Sequence, residues 1–372
     1  MEKYTFCAPC LFGLEGICAN EFKYIGFSNV RAENGRVLFD GDFSSAVRAN
    51  LLSRYCERVL ILLSEFRAES FDDLFEGTKS IPWERFISKN DAFPVKGKSL
   101  NSKLRSVSDC QKIIKKAAAE RLSDNYSVNW LEESGSVHQI QFLIINDKVS
   151  LMLDTTGEGL YKRGYRALSN DAPIKETLAA ALVDLSRVRP NHKVVDPMCG
   201  SGTILIEAAM KALKIAPGIN RSFSAEAWEQ FPKSIWEEER QKAKANENRD
   251  CDFEAIGYDI DDIALNISRE NARKAGVSDR IKFIKRDIKD FSFDFDYETV
   301  ITNPPYGERL LDISEAEKLY KIMGERFVKE KGKSYTVICP DDDFERIFGR
   351  KADKRRKLYN GMLTCQVYMY FK

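Results

Sequence analysis

One short stretch, Asn303-Pro304-Pro305-Tyr306, constrains this chain more than any other. It follows the apolar run 299–302, so the sequence predicts a buried strand that ends in a rigid loop. The two prolines fix φ and remove two backbone donors, which leaves the carbonyl groups of the loop free to accept hydrogen bonds. An amide side chain, free carbonyls and an aromatic ring at one strand end favour a pocket for a planar base that carries an amino group. The alternative is an ordinary turn with a half-buried tyrosine.

A second motif joins a short apolar strand to a helix over residues 204–214. Its sequence is Asp196-Pro197-Met198-Cys199-Gly200-Ser201-Gly202-Thr203. Glycines let the backbone approach a ligand closely, and the start of a helix offers free N–H groups. The motif differs from the dinucleotide-binding glycine pattern and from the phosphate-binding P-loop. Because it sets an acid opposite a tight glycine turn, it favours a ligand with an ammonium and a carboxylate, such as the methionine part of S-adenosylmethionine.

The C-terminal half alternates apolar strands with helices, which predicts a doubly wound, Rossmann-like α/β sheet. Strands are expected at 193–195, 255–259, 281–285, 299–302, 334–339, 357–359 and 363–371, the last two as an antiparallel hairpin. Ligands bind such sheets at the carboxyl ends of the strands. Asp259 is therefore a candidate for the hydroxyl groups of a ribose and Asp287 for an adenine amino group. Ile260 and Ile288 would lie on the two faces of that ring, although each acid alone could be only a helix cap.

The N-terminal half predicts a small α+β unit of ferredoxin-like kind. Strands are expected at 4–10, 30–33, 36–39 and 58–66, and helices at 13–26, 44–53 and 70–76. The hairpin closes at Asn34-Gly35, because both residues tolerate a positive φ. Two more strands, 139–145 and 148–154, are expected to turn at Asn146-Asp147.

Between these strands lies a basic window, residues 96–121, predicted as a loop after a strand at 93–95 and then a helix over 108–122 capped by Ser108 or Asp109. Cations interleaved with small hydroxyl and amide residues suit contact with nucleic-acid phosphates. The alternative is a solvated helix face. The candidate RNA-binding residues are Lys96, Lys98, Ser99, Asn101, Ser102, Lys103, Arg105, Lys112, Lys115 and Lys116.

These patterns predict three domains: residues 1–55, 56–156 and 157–372. The last begins in a polar connector over 155–168, with a helix at 175–186 that starts behind Asp171-Ala172-Pro173. Residues 217–250, which include Trp228 and Trp236, read as an insertion on the rim of the second sheet.

Composition excludes several classes of protein. No apolar stretch approaches the roughly 20 residues needed to cross a bilayer, and the first residues lack the apolar core of a signal peptide. Nine scattered cysteines predict reduced thiols in the cytoplasm. The single close pair, Cys7 and Cys10, favours a structural role over a zinc site, so no metal is expected. With only two histidines, His138 and His192, histidine-based hydrolysis is not expected.

The two motifs together resemble the class I S-adenosylmethionine-dependent methyltransferases. The Asn-Pro-Pro-Tyr form is similar to the branch that methylates exocyclic amino groups of bases. The window from Lys96 resembles a THUMP domain, and segments 161–166, 172–180 and 216–221 are similar to the same family. Nearly the whole chain thus resembles the bacterial THUMP-containing 23S rRNA guanine N(2)-methyltransferases, without the additional C-terminal methyltransferase domain that some relatives carry.

The resemblance implies an RNA partner, no membrane, S-adenosylmethionine as cofactor and a set of site residues. Those expected at the cofactor are Asp196, Cys199, Gly200, Gly202, Thr203, Asp259, Ile260, Asp287, Ile288 and Asn303. Those expected at the reaction are Asn303, Pro304, Pro305 and Tyr306, with Tyr306 stacked on the base. Three alternatives stay open: adenine N(6) methylation of a nucleic acid, guanine N(2) methylation of tRNA, and a non-catalytic ribosome assembly factor.

Overall fold

The computed structural model describes residues 3–166, 174–293, 295–306, 313–361 and 363–371. Within these ranges the chain forms two seven-stranded sheets with helices packed on them. None of the helices in the described ranges is long and apolar enough to cross a membrane. The helix start predicted behind Asp171-Ala172-Pro173 lies outside the described residues.

The first sheet carries the N-terminal half. Its strands are β1 (Tyr4–Pro9), β2 (Ser28–Glu33), β3 (Arg36–Gly41), β4 (Leu60–Arg67), β5 (Val95–Leu100), β6 (Ile140–Ile145) and β7 (Lys148–Asp154). Its helices are α1 (Glu15–Ile25), α2 (Phe43–Leu52), α3 (Phe71–Lys79) and α4 (Val107–Tyr126). The strand order is β2-β3-β1-β4-β7-β6-β5, with β5 parallel to β6 and the other pairs antiparallel. The predicted turns at Asn34-Gly35 and Asn146-Asp147 are confirmed, the latter with positive φ at both residues.

The start of the basic window differs from the prediction. Residues Val95–Leu100 form an edge strand in which Lys96 and Lys98 point outward, not a loop. Gly97 explains the difference, because a Cβ there would lie 2.2 Å from the carbonyl oxygen of Phe142 on the neighbouring strand. A run that looks polar in sequence thus forms a strand whose backbone pairs closely with β6. The predicted N-cap of α4 was also wrong. The cap is Ser106, whose hydroxyl accepts the N–H of Asp109 at 3.3 Å.

The second sheet carries the C-terminal half. Its strands are β8 (Lys193–Asp196), β9 (Glu254–Asp259), β10 (Ile281–Lys285), β11 (Glu298–Thr302), β12 (Lys333–Cys339), β13 (Lys354–Asn360) and β14 (Leu363–Tyr370). Its helices are α5 (Glu176–Leu185), α6 (Thr203–Ala212), α7 (Lys233–Ala245), α8 (Asp262–Lys274), α9 (Ile313–Arg326) and α10 (Phe344–Phe348). The order β10-β9-β8-β11-β12-β14-β13, with only β14 antiparallel to its neighbours, confirms the predicted sheet. Strand order reverses at β8, so a crevice opens between the ends of β8 and β11.

The insertion, residues 217–250, joins the two halves of the molecule. The ring of Phe231 packs 4.7 Å from that of Phe43 in α2, and the N–H of Gly218 donates to the carbonyl of Leu51 at 2.9 Å. Trp228 stacks on His138 at 4.2 Å between ring centroids. The insertion therefore fixes the position of the first sheet relative to the second.

Candidate active site

Four polar residues lie side by side at one edge of the second sheet. The order β10-β9-β8-β11 places them in the sequence Asp287, Asp259, Asp196, Asn303. The parallel register pairs Asp259 with Lys285 and Asp196 with Gly257, so β9 and β10 end level and β8 ends two residues earlier. The structure thus brings together the strand-end residues that the sequence singled out.

The glycine loop after β8 has a backbone that only glycine adopts without strain. Gly200 has φ of +52° and Gly202 has φ of +78°. A Cβ on Gly202 would lie 3.1 Å from the ring of Phe283 and 3.1 Å from the Cβ of Ser268, closer than ordinary contact. Left-handed backbone and lack of space both require glycine here.

Helix α8 holds this loop from the side. The hydroxyl of Ser268 donates to the carbonyl of Gly200 at 2.7 Å, and the Asn271 amide donates to the carbonyl of Ser201 at 3.1 Å. Both side chains are buried. These two residues were not predicted from the sequence, although their spacing of three places them on one helix face.

Asp196 is almost fully buried at the end of β8. Burial raises the pKa of its carboxyl to about 7, and the nearby Asp259 carboxylate adds to the shift, while the Met198 N–H at 3.2 Å opposes it. The group therefore loses its proton at a higher pH than an ordinary aspartate does. A cation placed beside it would restore full ionisation.

Asp259 fastens the glycine loop to β9. One carboxylate oxygen accepts the N–H of Gly200 at 2.9 Å and the other accepts the N–H of Asp261 at 3.0 Å. A carboxylate oxygen can accept more than one hydrogen bond. Each oxygen of Asp259 therefore keeps capacity for a hydroxyl of a ligand.

The remaining predicted cofactor residues have different surroundings. Asp287 is partly exposed and accepts the N–H of Lys289 at 2.9 Å. Ile260 is 65% exposed, whereas Ile288 is buried in the core with Phe291. The placement of Ile260 and Ile288 on the two faces of an adenine ring stays a prediction.

Thr203 and Cys199 are both buried in the glycine loop. The hydroxyl of Thr203 lies 3.1 Å from that of Ser201, and an Nη of Arg166 donates to it at 3.4 Å. Arg166 pairs with Glu176 at 2.8 Å. Burial raises the pKa of the Cys199 thiol, so it is an uncharged group here. These residues support the loop from beneath and connect it to the segment that enters α5.

Asn303 begins the loop after β11. Its side-chain oxygen is buried and has no hydrogen-bond partner among the residues that the structure describes. An unpaired buried polar atom costs on the order of 1–3 kcal/mol. Such a cost is expected where a group is kept ready for a ligand.

Tyr306 is half-buried and anchored through its hydroxyl. The Asn360 amide, at the turn of the β13–β14 hairpin, donates to that hydroxyl at 2.8 Å. Burial raises the pKa of the phenol, so it stays protonated at any physiological pH. No sequence pattern signals this contact, because it joins residues far apart in the chain.

The basic window forms a surface on the first sheet. Lys96, Lys98, Asn101, Arg105 and Lys116 have exposed side chains, as does Lys112 beside Asp109. A cavity of about 460 Å³ opens on this surface. Its lining residues are Ser99, Asn101, Ser102, Lys103, Arg105 and Asp147.

Besides Lys112, four of the predicted RNA-binding residues already have hydrogen-bond or ion-pair partners within the protein. The hydroxyl of Ser99 donates to the carbonyl of Leu104 at 2.5 Å. The ammonium of Lys115 lies 2.5 Å from the Glu133 carboxylate and 3.3 Å from the centre of the Phe93 ring, and burial lowers its pKa. Lys103 pairs with Glu69. Ser102 is buried; its hydroxyl donates to Leu100 and accepts the N–H of Asp147.

Three protein families match successive parts of the sequence. Residues 5–60 match the RlmL ferredoxin-like domain, and residues 68–154 match the THUMP domain. Residues 163–369 match the family described as RMKL-like, methyltransferase domain. The last match covers more than half of the chain.

Individual relatives are similar over the full length. The Bacillus subtilis protein named "Putative RNA methyltransferase YpsC" is 42% identical over 100% of this chain and 97% of its own length. "Ribosomal RNA large subunit methyltransferase K/L" of Psychromonas ingrahamii is 33% identical over 98% of this chain, which spans only 50% of that protein. The solved structure of SMU.472, complexed with SAH, has a TM-score of 0.93 and 38% identity, covering 100% of this chain and 98% of that one.

Proposed function

This chain belongs to the family of THUMP-domain, S-adenosylmethionine-dependent RNA methyltransferases of the K/L type, and we propose on that premise that it methylates the N2 amine of a guanine in 23S rRNA. The observation that carries the proposal is the buried side-chain oxygen of Asn303 at the β8–β11 crevice, which has no hydrogen-bond partner in the described parts of the chain. An amino group of a base is the donor that such an oxygen lacks. We also propose a cytoplasmic location, which the nine buried free thiols support.

The reaction needs a better nucleophile than a free guanine offers, because the lone pair of its amino nitrogen is delocalised into the ring. The Asn303 oxygen and the Pro304 carbonyl would accept the two N–H bonds and favour a pyramidal nitrogen. S-adenosylmethionine supplies the electrophilic methyl group; the nitrogen lone pair forms the new N–C bond, and the S–C pair stays on sulfur. The proton then leaves to water or a carboxylate. Positioning and electrostatics supply the acceleration.

The base must reach this loop from outside a helix stack. Tyr306, held through its hydroxyl by Asn360, would stack on a base that is flipped out or unpaired. Pro305 keeps the loop rigid between Asn303 and the ring. At the cofactor, we propose that Asp196 faces the ammonium, Asp259 the ribose and Asp287 the adenine.

The raised pKa of Asp196 gives a pH dependence for cofactor binding. If the ammonium of the cofactor pairs with ionised Asp196, the pKa of about 7 in the free protein must fall in the complex. Binding then releases a proton below pH 7, and affinity drops by up to about tenfold per pH unit as the pH falls from 7. Titration calorimetry at pH 6 and 8, in buffers of different ionisation enthalpy, measures both effects.

The matched control is Asp196→Asn, in which the pH dependence should disappear together with most of the affinity. Wild-type protein that binds equally at pH 6 and 8 without releasing a proton would remove Asp196 from the cofactor site.

The RNA-binding role falls to the exposed cations of the first sheet. We propose that Lys96, Lys98, Arg105, Lys112 and Lys116 contact phosphates, with residues 56–156 as the RNA-binding domain, residues 1–55 as its ferredoxin-like support and residues 157–372 as the catalytic domain. Lys103 pairs with Glu69 but is 62% exposed, so it stays a further candidate. Lys115 and Ser102 are left out because they are partly or fully buried with partners in the protein.

Removing two of these cations should change the salt dependence of binding. Replacing Lys98 and Arg105 by alanine is expected to flatten the slope of log K against log salt by about 1 per lost contact. Filter binding to protein-free rRNA at several salt concentrations measures the slope. The control is Lys329→Ala with Lys331→Ala. These two exposed lysines lie just before β12, at the end of the strands opposite to the crevice. Equal slopes in both double variants would move the RNA surface elsewhere.

The experiment that tests the substrate is deletion of the gene followed by mapping of modified nucleotides in cellular RNA. The proposal expects one N2-methylguanosine of 23S rRNA to disappear and to return with a plasmid copy. Loss of a methyladenosine, or of a tRNA methylguanosine, would replace the proposed substrate by one of the alternatives.

A further inference from the structure

A second, larger cavity lies between the connector and the insertion. Its volume is about 760 Å³, within the range of pockets that hold a ligand of nucleotide size. Its wall comes from three segments: residues 156–166, the first residue of α5, and residues 220–224. The proposed catalytic roles use none of these residues, although two of the segments carry sequence motifs, Tyr161-Lys162-Arg163-Gly164-Tyr165-Arg166 and the Asn220-Arg221 pair.

Positive charge dominates the wall of this cavity. Its charged lining residues are Glu158, Lys162, Arg163, Arg166, Glu176 and Arg221. Lys162 pairs with Glu158 at 2.9 Å, and Arg166 pairs with Glu176. Arg163 lies 3.6 Å from the buried carboxylate of Glu207, which is not part of the lining. Three of the four cations thus have a carboxylate partner, and Arg221 supplies the remaining local excess of positive charge.

Arg221 is the main source of that excess. Its guanidinium donates to the carbonyls of Glu158, Gly159 and Lys162 at 2.5–2.9 Å, and no carboxylate lies within ion-pair distance of it among the described residues. Its Nε is also buried and has no hydrogen-bond partner among the residues that the structure describes. Burial and the neighbouring Arg163 lower the pKa of Arg221 to about 10, so it remains charged at neutral pH.

The cavity lies between the two proposed sites. On one side Arg166 donates to Thr203, where the glycine loop ends and α6 begins. On the other, Ser224 and the indole of Trp228 both donate to the carbonyl of Val137 in the first sheet, each at 3.0 Å. The cavity therefore borders both the domain with the basic window and the domain with the crevice.

We propose that the cavity binds the phosphate backbone of a single-stranded stretch of RNA next to the target nucleotide, with Lys162 and Arg221 as its phosphate ligands. The inference rests on the proposed RNA substrate and adds a contact site to it. A duplex is too wide to enter a pocket of this volume, whereas one strand fits. Tyr161 on the wall offers a ring for an unpaired base.

The Lys162–Glu158 pair allows a test in which two substitutions are expected to change RNA affinity in opposite directions. Both side chains are mostly exposed, at 53% and 71%, so their loss should leave the fold intact. Lys162→Gln is expected to weaken binding of protein-free rRNA by about 3- to 10-fold and to flatten the salt slope by about 0.7, the value for one single-strand phosphate. Glu158→Gln should tighten binding, because it removes a charge that repels phosphate and frees Lys162.

Methyl transfer provides an independent measurement. At subsaturating rRNA the rate of Lys162→Gln should fall by the same factor as its affinity, whereas at saturating rRNA it should stay within about twofold, because a remote contact changes binding more than the chemical step. The control is the exposed pair Glu238 and Lys242 on α7, with the same spacing of four and exposures of 65% and 58%. Glu238→Gln and Lys242→Gln should change neither measurement.

The outcomes separate the readings clearly. If Lys162→Gln and Glu158→Gln leave rRNA binding unchanged, or change it in the same direction, the pair is only structural and the proposal is overturned. If the variants give that result but the wild-type protein binds and methylates rRNA, the proposed function stands and the cavity is not part of the RNA-binding site. If wild-type protein neither binds nor methylates rRNA, both fall.

Discussion

Replacing Asn303 by alanine is expected to lower methyl transfer to rRNA by about 100- to 1,000-fold, because the variant loses an acceptor aimed at the reacting amine. S-adenosylmethionine affinity should change less than about threefold, since the glycine loop and the acids that hold it do not depend on Asn303. Labelled methyl incorporation and calorimetry measure the two effects.

The same variant makes a prediction about stability. The Asn303 side-chain oxygen is buried without a partner among the described residues, so its removal should not lower the melting temperature and can raise it. A useful comparison is Asn360→Ala, which keeps Asn303 but releases the hydroxyl of Tyr306. We expect that variant to lose about tenfold in rate, as for other residues that position a reacting group. Undiminished incorporation by Asn303→Ala would end its assigned role.

Replacing Gly202 by alanine is expected to weaken cofactor binding by at least about 100-fold. The new Cβ would force Phe283 or Ser268 aside and strain a φ of +78°. Ser268 is the residue whose hydroxyl holds the Gly200 carbonyl, so the loop itself must shift. A displacement of about 1 Å in a preorganised site is enough for such a loss. Calorimetric titration with S-adenosylhomocysteine measures it.

Gly349 offers a matched control for this substitution. It ends α10 with a φ of +80°, but a Cβ there would meet nothing within 4 Å. Gly349→Ala should therefore cost only about 1–2 kcal/mol of left-handed strain and leave cofactor affinity unchanged. If both glycine variants bind the cofactor equally, the loop after β8 is not its binding site.

The strand ends could be predicted from sequence because they depend on local patterns. An apolar run followed by an acid or by Asn-Pro-Pro-Tyr locates a strand terminus, and parallel strands bring such termini to one edge. The sequence therefore predicts, without knowledge of packing, that four strand-end residues lie at the same end of the sheet: Asp196, Asp259, Asp287 and Asn303.

What could not be predicted depends on contacts between distant segments. Ser268 and Asn271 support the glycine loop from a helix about 70 residues away, and Asn360 reaches Tyr306 across the sheet. Lys115 looks like a free cation in sequence, yet its ammonium forms an ion pair with Glu133 and lies over the Phe93 ring. In each case the partner is set by the packing of elements, which local periodicity does not encode.

The edge strand β5 shows the same limit within one element. Its residues Lys96 and Lys98 suggested a loop because their polarity hides the alternation of a strand with one solvated face. The inner face is visible only through Gly97, whose missing side chain admits Phe142.

The most direct test of the account is methylation of protein-free 23S rRNA, taken from cells that lack the gene, with purified protein and labelled S-adenosylmethionine. Digestion to nucleosides and mass spectrometry then identify the product. We expect N2-methylguanosine, close to one per rRNA, and none with Asn303→Ala. N6-methyladenosine as the product, or cofactor binding without transfer to any RNA, would contradict the account.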